Sequence, residues 1–314
     1  MAVTRTGRPT RVDGGTASQV LSAALAWLAA HTEWFGPRWD DHFPPRDFDG
    51  ATVMELLMLC RLLRRSGPTE PGMAELERAA VELAKDMVAV PPGSGRSMEH
   101  LSYRLWTLAL LADLGHVPDE SFTAVRAMAE RFPPRPPGGG TSPVHTLELL
   151  HILDLAGLPA RADLPGVPSL YHACVTEHAG GTDEYDAYGI THTVLYATDF
   201  GARPLPGDTE HLGRVLDDLL RTYLDEGHLD LVAELLLCSQ IVHKRRSSVL
   251  ERRAWDRLAG AQRPDGSLPG PPFDAGVLAE RTGDRATAYV FRTCYHTTLV
   301  TAMAATHVGA PVRP

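Results

Sequence analysis

Residues 185–201 read YDAYGITHTVLYATDFG. Tyr188, His192 and Tyr196 recur every fourth position, which places three rings on one face of a helix. The run closes on Asp199-Phe200-Gly201, and a Gly just beyond a helix supplies the left-handed residue that ends it. The same punctuation recurs along the chain. Ser66-Gly67, Asp113-Leu114-Gly115, Asp154-Leu155-Ala156-Gly157 and Asp199-Phe200-Gly201 are 48, 42 and 44 residues apart. A further ending, His307-Val308-Gly309, follows 108 residues later, or two units with one unmarked ending near 243–246. Such a period is the size of a two-helix hairpin with its loops, and points to a repeat architecture.

Apolar residues recur at helical spacing nearly everywhere, and strand signals are almost absent. The pattern predicts first helices over 17–33, 73–89, 118–131, 168–178, 208–225 and 247–262. Second helices are predicted over 51–65, 98–114, 143–156, 187–200, 229–243 and 286–307. Six antiparallel pairs suit an all-α (α/α)6 toroid with the second helices as the inner ring; an open solenoid is the rival. Closure is preferred because six units close known toroids, and because the second helices are apolar on most of their circumference, as buried helices are. Links into the second helices are long and rich in Gly and Pro, at 90–96, 133–140, 179–183 and 263–272. In antiparallel hairpins these links share one rim, and loops on a rigid scaffold are where sites usually sit. Residues 1–15 read as a disordered tail, and 16–310 as one domain.

Composition narrows the function. The chain has 314 residues, 44% hydrophobic and 22% charged, with 30 Lys plus Arg against 39 Asp plus Glu and a net charge of −9. An acidic balance argues against a nucleic-acid partner. Apolar stretches such as 21–30 are too short to span a bilayer, and MAVTRTGRPTRVDGG has no signal-peptide core; the expected location is the cytoplasm. Cys60, Cys174, Cys238 and Cys294 form no CxxC pair, so neither a disulfide framework nor a zinc ribbon is expected. No GxGxxG, P-loop, GxSxG or HExxH occurs, and no nucleotide cofactor is expected.

Polar residues on helices meant for burial are the candidates for chemistry, because they are costly there unless they face a cavity or pair with one another. His192, Tyr196 and His296 are expected to act as acid, base or orienting hydroxyl. Asp230 and Glu234 share a face at i, i+4; they either split their pKa values for acid–base work or pair with Arg or Lys from a neighbouring helix. Substrate contacts are expected from Tyr188, Asp199, Tyr289, Arg292, His100, His145, Tyr103 and Trp106, with Glu55 and Glu99 continuing the theme. For His100 and His145, which follow Ser97 and Ser142, capping is the competing role, and Asp199 could equally be structural. Residues 39–43 (WDDHF) read as a surface loop near the rim, and Lys244-Arg245-Arg246 as a helix-closing cap.

Gln262-Arg-Pro-Asp-Gly-Ser-Leu268 resembles the Gln/Trp repeat of terpene cyclases, with Leu268 where that motif has Trp and no aspartate-rich acid motif. Tyr295-His296-Thr297 after a Gly/Pro-rich loop is similar to the end of protein prenyltransferase β subunits, where the resemblance makes that His a zinc ligand; their Asp-x-Cys is replaced by Asp186-Ala-Tyr188. Lanthionine cyclases share the toroid, but their Cys and His ligands find no match. Thr191-His192, Tyr196 and Thr198-Asp199-Phe200-Gly201, together with Tyr295-His296-Thr297-Thr298-Leu299, resemble an uncharacterised actinobacterial family linked to specialised-metabolite gene clusters. That resemblance covers most of 16–310 and implies an all-helical toroid in a biosynthetic setting. The expectation is an enzyme performing cyclisation, elimination or related acid–base chemistry on a small molecule or modified peptide, with no cofactor. One alternative is a zinc enzyme using His192, His296 and Cys294 or a carboxylate; another is a non-catalytic substrate- or peptide-binding accessory protein.

Overall fold

The computed structural model describes residues 14–43, 51–67, 72–89, 99–116, 120–131, 142–160, 162–243 and 248–308, and among them there is no strand. The helices in chain order are α1 (Gly14–Ala30), α2 (Pro37–His42), α3 (Ala51–Ser66), α4 (Met73–Ala89), α5 (Glu99–Asp113), α6 (Glu120–Arg131) and α7 (Pro143–Leu155). They continue as α8 (Val167–His178), α9 (Glu184–Thr198), α10 (Thr209–Glu226), α11 (Leu229–His243), α12 (Val249–Ala261), α13 (Ala275–Ala279) and α14 (Asp284–Ala305). All twelve helices expected from the sequence are present, with every end within three residues of its expected position.

Two kinds of helix alternate. On α10 the buried residues Leu212, Leu216, Leu219, Leu220 and Tyr223 form one stripe, the mark of a helix that packs on one side only. On α11 every residue from Leu229 to Ser239 is buried, so this helix has neighbours all round. The contacts follow the same division. α3 packs on α5, α5 on α7, α7 on α9, α9 on α11 and α11 on α14, and α14 packs back on α3. α1 lies against α14, α4 and α12, α8 against α7 and α9, and α10 against α11 and α12. Hydrogen bonds show that α9 and α11 run the same way. Tyr188 and Thr191 of α9 reach Asp230 and Glu234 of α11 in that order.

Local chemistry sets the helix ends. Ser142 caps α7, its hydroxyl accepting from His145 N at 3.3 Å, with Pro143 at the first helical position. Asp183 caps α9 and Asp208 caps α10 in the same way. Gly67, Gly115, Gly157 and Gly201 all have positive φ, as the recurring punctuation predicts; Gly309 and residues 244–246 lie outside the described residues. Gln262 of the terpene-cyclase-like stretch donates to Val20 O and Gly266 O, both at 3.0 Å, tying the end of α12 to α1. Gly266 has φ +95°, and a Cβ there would meet Ala23 O at 2.2 Å, so only glycine fits this approach.

Two expectations need correction. Gly14 and Gly15 belong to α1, so the described chain is already helical where a tail was expected; residues 1–13 lie outside the described residues. Trp39 to His42 belong to a short helix, not a loop, because Trp39 packs on Phe43 and edge-on against Phe291 and Tyr295. Beyond the expected link at 263–272, the chain forms the short α13 before α14. No helix among the described residues is long and apolar enough to cross a membrane.

Candidate active site: a carboxylate–histidine cluster

Glu55, Tyr103, His145, Tyr188, His192, Tyr196 and His296 are half-exposed on helices whose other faces are buried. These residues come from α3, α5, α7, α9 and α14, so the surface they expose borders space shared by those helices.

His296 is the densest point. Its Nδ1 lies 3.4 Å from Glu55 Oε2, and its Nε2 lies 3.5 Å from Glu234 Oε1 and 3.7 Å from Asp230 Oδ2. Its side chain keeps 38% of its surface exposed, against 6% for Asp230 and 4% for Glu234. Hydroxyl groups hold the two acids from behind. Tyr188 donates to Asp230 Oδ2 at 2.8 Å, Thr297 to Asp230 Oδ1 at 2.7 Å, and Thr191 to Glu234 Oε2 at 2.6 Å. Burial pulls the His296 imidazolium down, but the charges of Asp230 and Glu55 and the hydrogen bonds to Glu234 and Glu55 hold it well above its ordinary value. Burial alone would raise Glu234; His296, His192 and the Thr191 hydroxyl bring it below the usual range.

Across α9 sits a second acid of opposite behaviour. Tyr196 donates to Glu148 Oε1 at 3.4 Å. Burial raises the Glu148 carboxyl to about 7, against a smaller lowering by the Tyr196 hydroxyl. Burial also raises Tyr196 and Tyr103, and both feel the charge of Glu148. The rings of Tyr188, His192 and Tyr196 follow one another at 6.1 and 5.5 Å, as the stripe predicts. His145 is lowered by burial and by the nearness of His192, while its Nδ1 also meets Ser142 Oγ at 3.0 Å; capping and proximity to the site coexist.

Other expected site residues are engaged elsewhere. Asp199 leaves the stripe because α9 ends before it: Asp199 and Phe200 take φ of +49° and +53°, turning the carboxylate into a buried ion pair with Arg61 and Arg65. Tyr289 donates to Pro272 O and Asp274 O and accepts from Asp274 N, so it fastens the preceding loop. Arg292 is exposed, its guanidinium 5.7 Å from the Phe43 ring. Trp106 is a buried wall, edge-on to His151 and Tyr196. Cys294 cannot join His296 on a metal: positions i and i+2 point to opposite sides of a helix, and its buried thiol meets Thr293 instead. The side chains of His100 and Glu99 lie outside the described residues.

Glu148 escaped the sequence reading, although a Glu inside His145-Thr-Leu-Glu148-Leu-Leu, three residues after a His, was a usable signal. Thr191 and Thr297 stand in the motifs that carry the family resemblance but received no role of their own, because Thr is common in helices that bury it.

The class is therefore an all-helical protein with a carboxylate–histidine site among mutually packed helices. Residues 21–306 match the family model described as "Domain of unknown function (DUF6895)", and the chain belongs to that family. Neither a curated protein nor a solved structure matches it.

Proposed function

We propose that this chain is a cytoplasmic enzyme of the (α/α)6 toroid architecture. On this reading it performs acid–base chemistry, of cyclase or lyase type, on a small molecule or modified peptide of specialised metabolism. The cycle of contacts from α3 through α5, α7, α9 and α11 to α14 and back to α3 supports the closed ring over the solenoid, which would leave α3 and α14 apart.

One observation carries the catalytic reading. Two buried glutamates flank α9 with opposite tendencies: Glu148 is raised to about 7, and Glu234 is lowered. Titratable groups pushed apart in this way define an acid and a charge-bearing partner. Glu148 is the proton donor, with Tyr196 orienting it and His192 beside them as proton acceptor. Asp230, Glu234 and His296 form the fixed charged pole opposite. Incubating the protein with a library of small molecules and peptides, followed by mass spectrometry, tests this. A compound converted by the wild type, and converted about 10²–10⁴-fold more slowly by Glu148→Gln, is the expected result. A compound bound but left unchanged by both proteins overturns the enzyme reading in favour of an accessory binding protein.

A further inference from the structure

The charged pole has the donor types, spacing and support of a metal site. Asp230, Glu234 and His296 each offer one ligand atom, and these atoms lie within 4.8 Å of one another. The set is not merely acidic, since it includes an imidazole nitrogen. The distances from Nε2 to the two carboxylates, 3.5 and 3.7 Å, are long for charge-assisted hydrogen bonds, which run to about 2.7–2.9 Å. These two edges suit ligands that share an ion, since tetrahedral bonds of about 2.1 Å put neighbouring ligand atoms about 3.4 Å apart; the third edge, between the two carboxylates, is within 4.8 Å and closes on binding where it is longer. Glu234 is oriented toward the same point. It is 3% exposed, its Oε2 takes the Thr191 hydroxyl, and its Oε1 faces Nε2 from 3.5 Å. This buried carboxylate oxygen thus has His296 as its partner, at the long end of hydrogen-bonding distance.

The outer contacts have the form that metal ligands need. A ligating His commonly presents its other nitrogen to a carboxylate, which fixes the ring, and ligating carboxylates are themselves hydrogen-bonded. Here Glu55 faces Nδ1 at 3.4 Å, while Tyr188, Thr297 and Thr191 hold the two acids. Three protein ligands leave a fourth tetrahedral position open, as catalytic zinc sites do.

We propose that Asp230, Glu234 and Nε2 of His296 bind one divalent first-row transition-metal ion in a zinc-like tetrahedral site, with Glu55 positioning the imidazole through Nδ1. Mixed nitrogen and oxygen donors favour such an ion over magnesium. Binding displaces the imidazole proton to solvent, and the ion would serve the acid–base reading above as a Lewis acid opposite Glu148. The proposal rests on that reading for its use and on the ligand geometry for its existence.

The test uses the full chain, stripped with a chelator, titrated calorimetrically with zinc chloride and, separately, with manganese and magnesium chloride. One zinc per chain is expected. Asp230→Asn and Glu234→Gln should each weaken binding at least tenfold. Glu55→Gln should weaken it about 10–100-fold. Glu148→Gln should leave zinc affinity unchanged while slowing turnover about 10²–10⁴-fold, so the site and the acid–base reading fail separately. His172→Ala with His211→Ala, on the outer groove between α8 and α10, should change nothing. Wild-type protein loaded with cobalt(II) should show the visible bands of a tetrahedral ion, a readout that needs no variant to fold. A zinc stoichiometry near zero, absent cobalt bands, magnesium bound more tightly than zinc, or binding that survives both Asp230→Asn and Glu234→Gln overturns the proposal. An unchanged affinity in Glu55→Gln overturns the part given to Glu55.

Discussion

Arg61 and His296 are both basic groups set among acids, and both are anchored to α3, but the two surroundings have little else in common. Arg61 stands six residues beyond Glu55, about 9 Å further along the helix. Its Nε donates to Asp113 at 2.7 Å, its other two nitrogens both reach Asp199, and its side chain is 5% exposed. Arg65 completes the knot, donating to Asp199 Oδ2 at 2.7 Å and to its backbone oxygen at 3.1 Å. Two arginines meet two aspartates within hydrogen-bonding distance. His296 meets three acids, all between 3.4 and 3.7 Å, and keeps an open face. The knot is neutral and saturated; the cluster is over-acidic and loose. A saturated ion pair holds structure, whereas an unsaturated one retains charge that a ligand can use.

The largest expected effect falls on the knot. Asp199→Ala leaves the buried Arg61 with Asp113 alone, and breaking a buried pair costs about 3–5 kcal/mol. Urea unfolding should show that loss, and a change below about 1 kcal/mol would dissolve the contrast with the cluster.

The next effect is a pH dependence. Glu148, facing Tyr196 and Tyr103, is raised to about 7, and Glu251, buried on α12 near Asp217, is raised to about 7 as well. A carboxyl raised on folding contributes stability that is fully present below its unfolded value near 4.5 and lost as pH climbs through about 7. Stability should therefore fall between pH 5 and pH 8, by up to about 3 kcal/mol per group. Denaturation midpoints measured across that range should flatten stepwise in Glu148→Gln and in Glu148→Gln/Glu251→Gln. A slope unaltered in the double variant would remove the contrast drawn between Glu148 and Glu234.

A smaller effect sharpens the picture of the cluster. Thr191→Val deletes the hydroxyl behind Glu234, and a hydrogen bond to a charged group contributes about 1.5–3 kcal/mol. Tyr188→Phe removes one of the two donors on Asp230 and should cost less, since Thr297 remains. Equal losses in the two variants, read by thermal or chemical unfolding, would show that the supports of Asp230 and Glu234 are interchangeable.

Much of the fold was legible because burial leaves a pattern. α11 reads as apolar all round, α10 as a single stripe, and the glycine endings mark where backbone must turn left-handed. The arrangement of the candidate site was legible where a helix carries it unbroken, as with Tyr188, His192 and Tyr196, and in Asp230 and Glu234 at i, i+4. It failed where the helix stops or the register changes face. Asp199 is in phase with the stripe only if α9 continues, and it does not; Cys294 is adjacent to His296 in sequence and turned away from it in space. Arg61 and Asp113 could not be paired from sequence, because their contact depends on which helices become neighbours. Glu148 was readable in principle as the one acid in an apolar run.

His296 and Glu55 are separated by 241 residues, and they meet where α14 packs back on α3. The cluster is thus assembled across a separation of most of the chain, and such contacts carry a large ordering cost during folding. On a ribosome, Glu55, Asp230 and Glu234 emerge before the imidazole that faces all three. The chemistry of the pole is consequently gated by completion of the fold: a partly made chain carries its acids without their centre, and only the arrival of α14 turns them into a site.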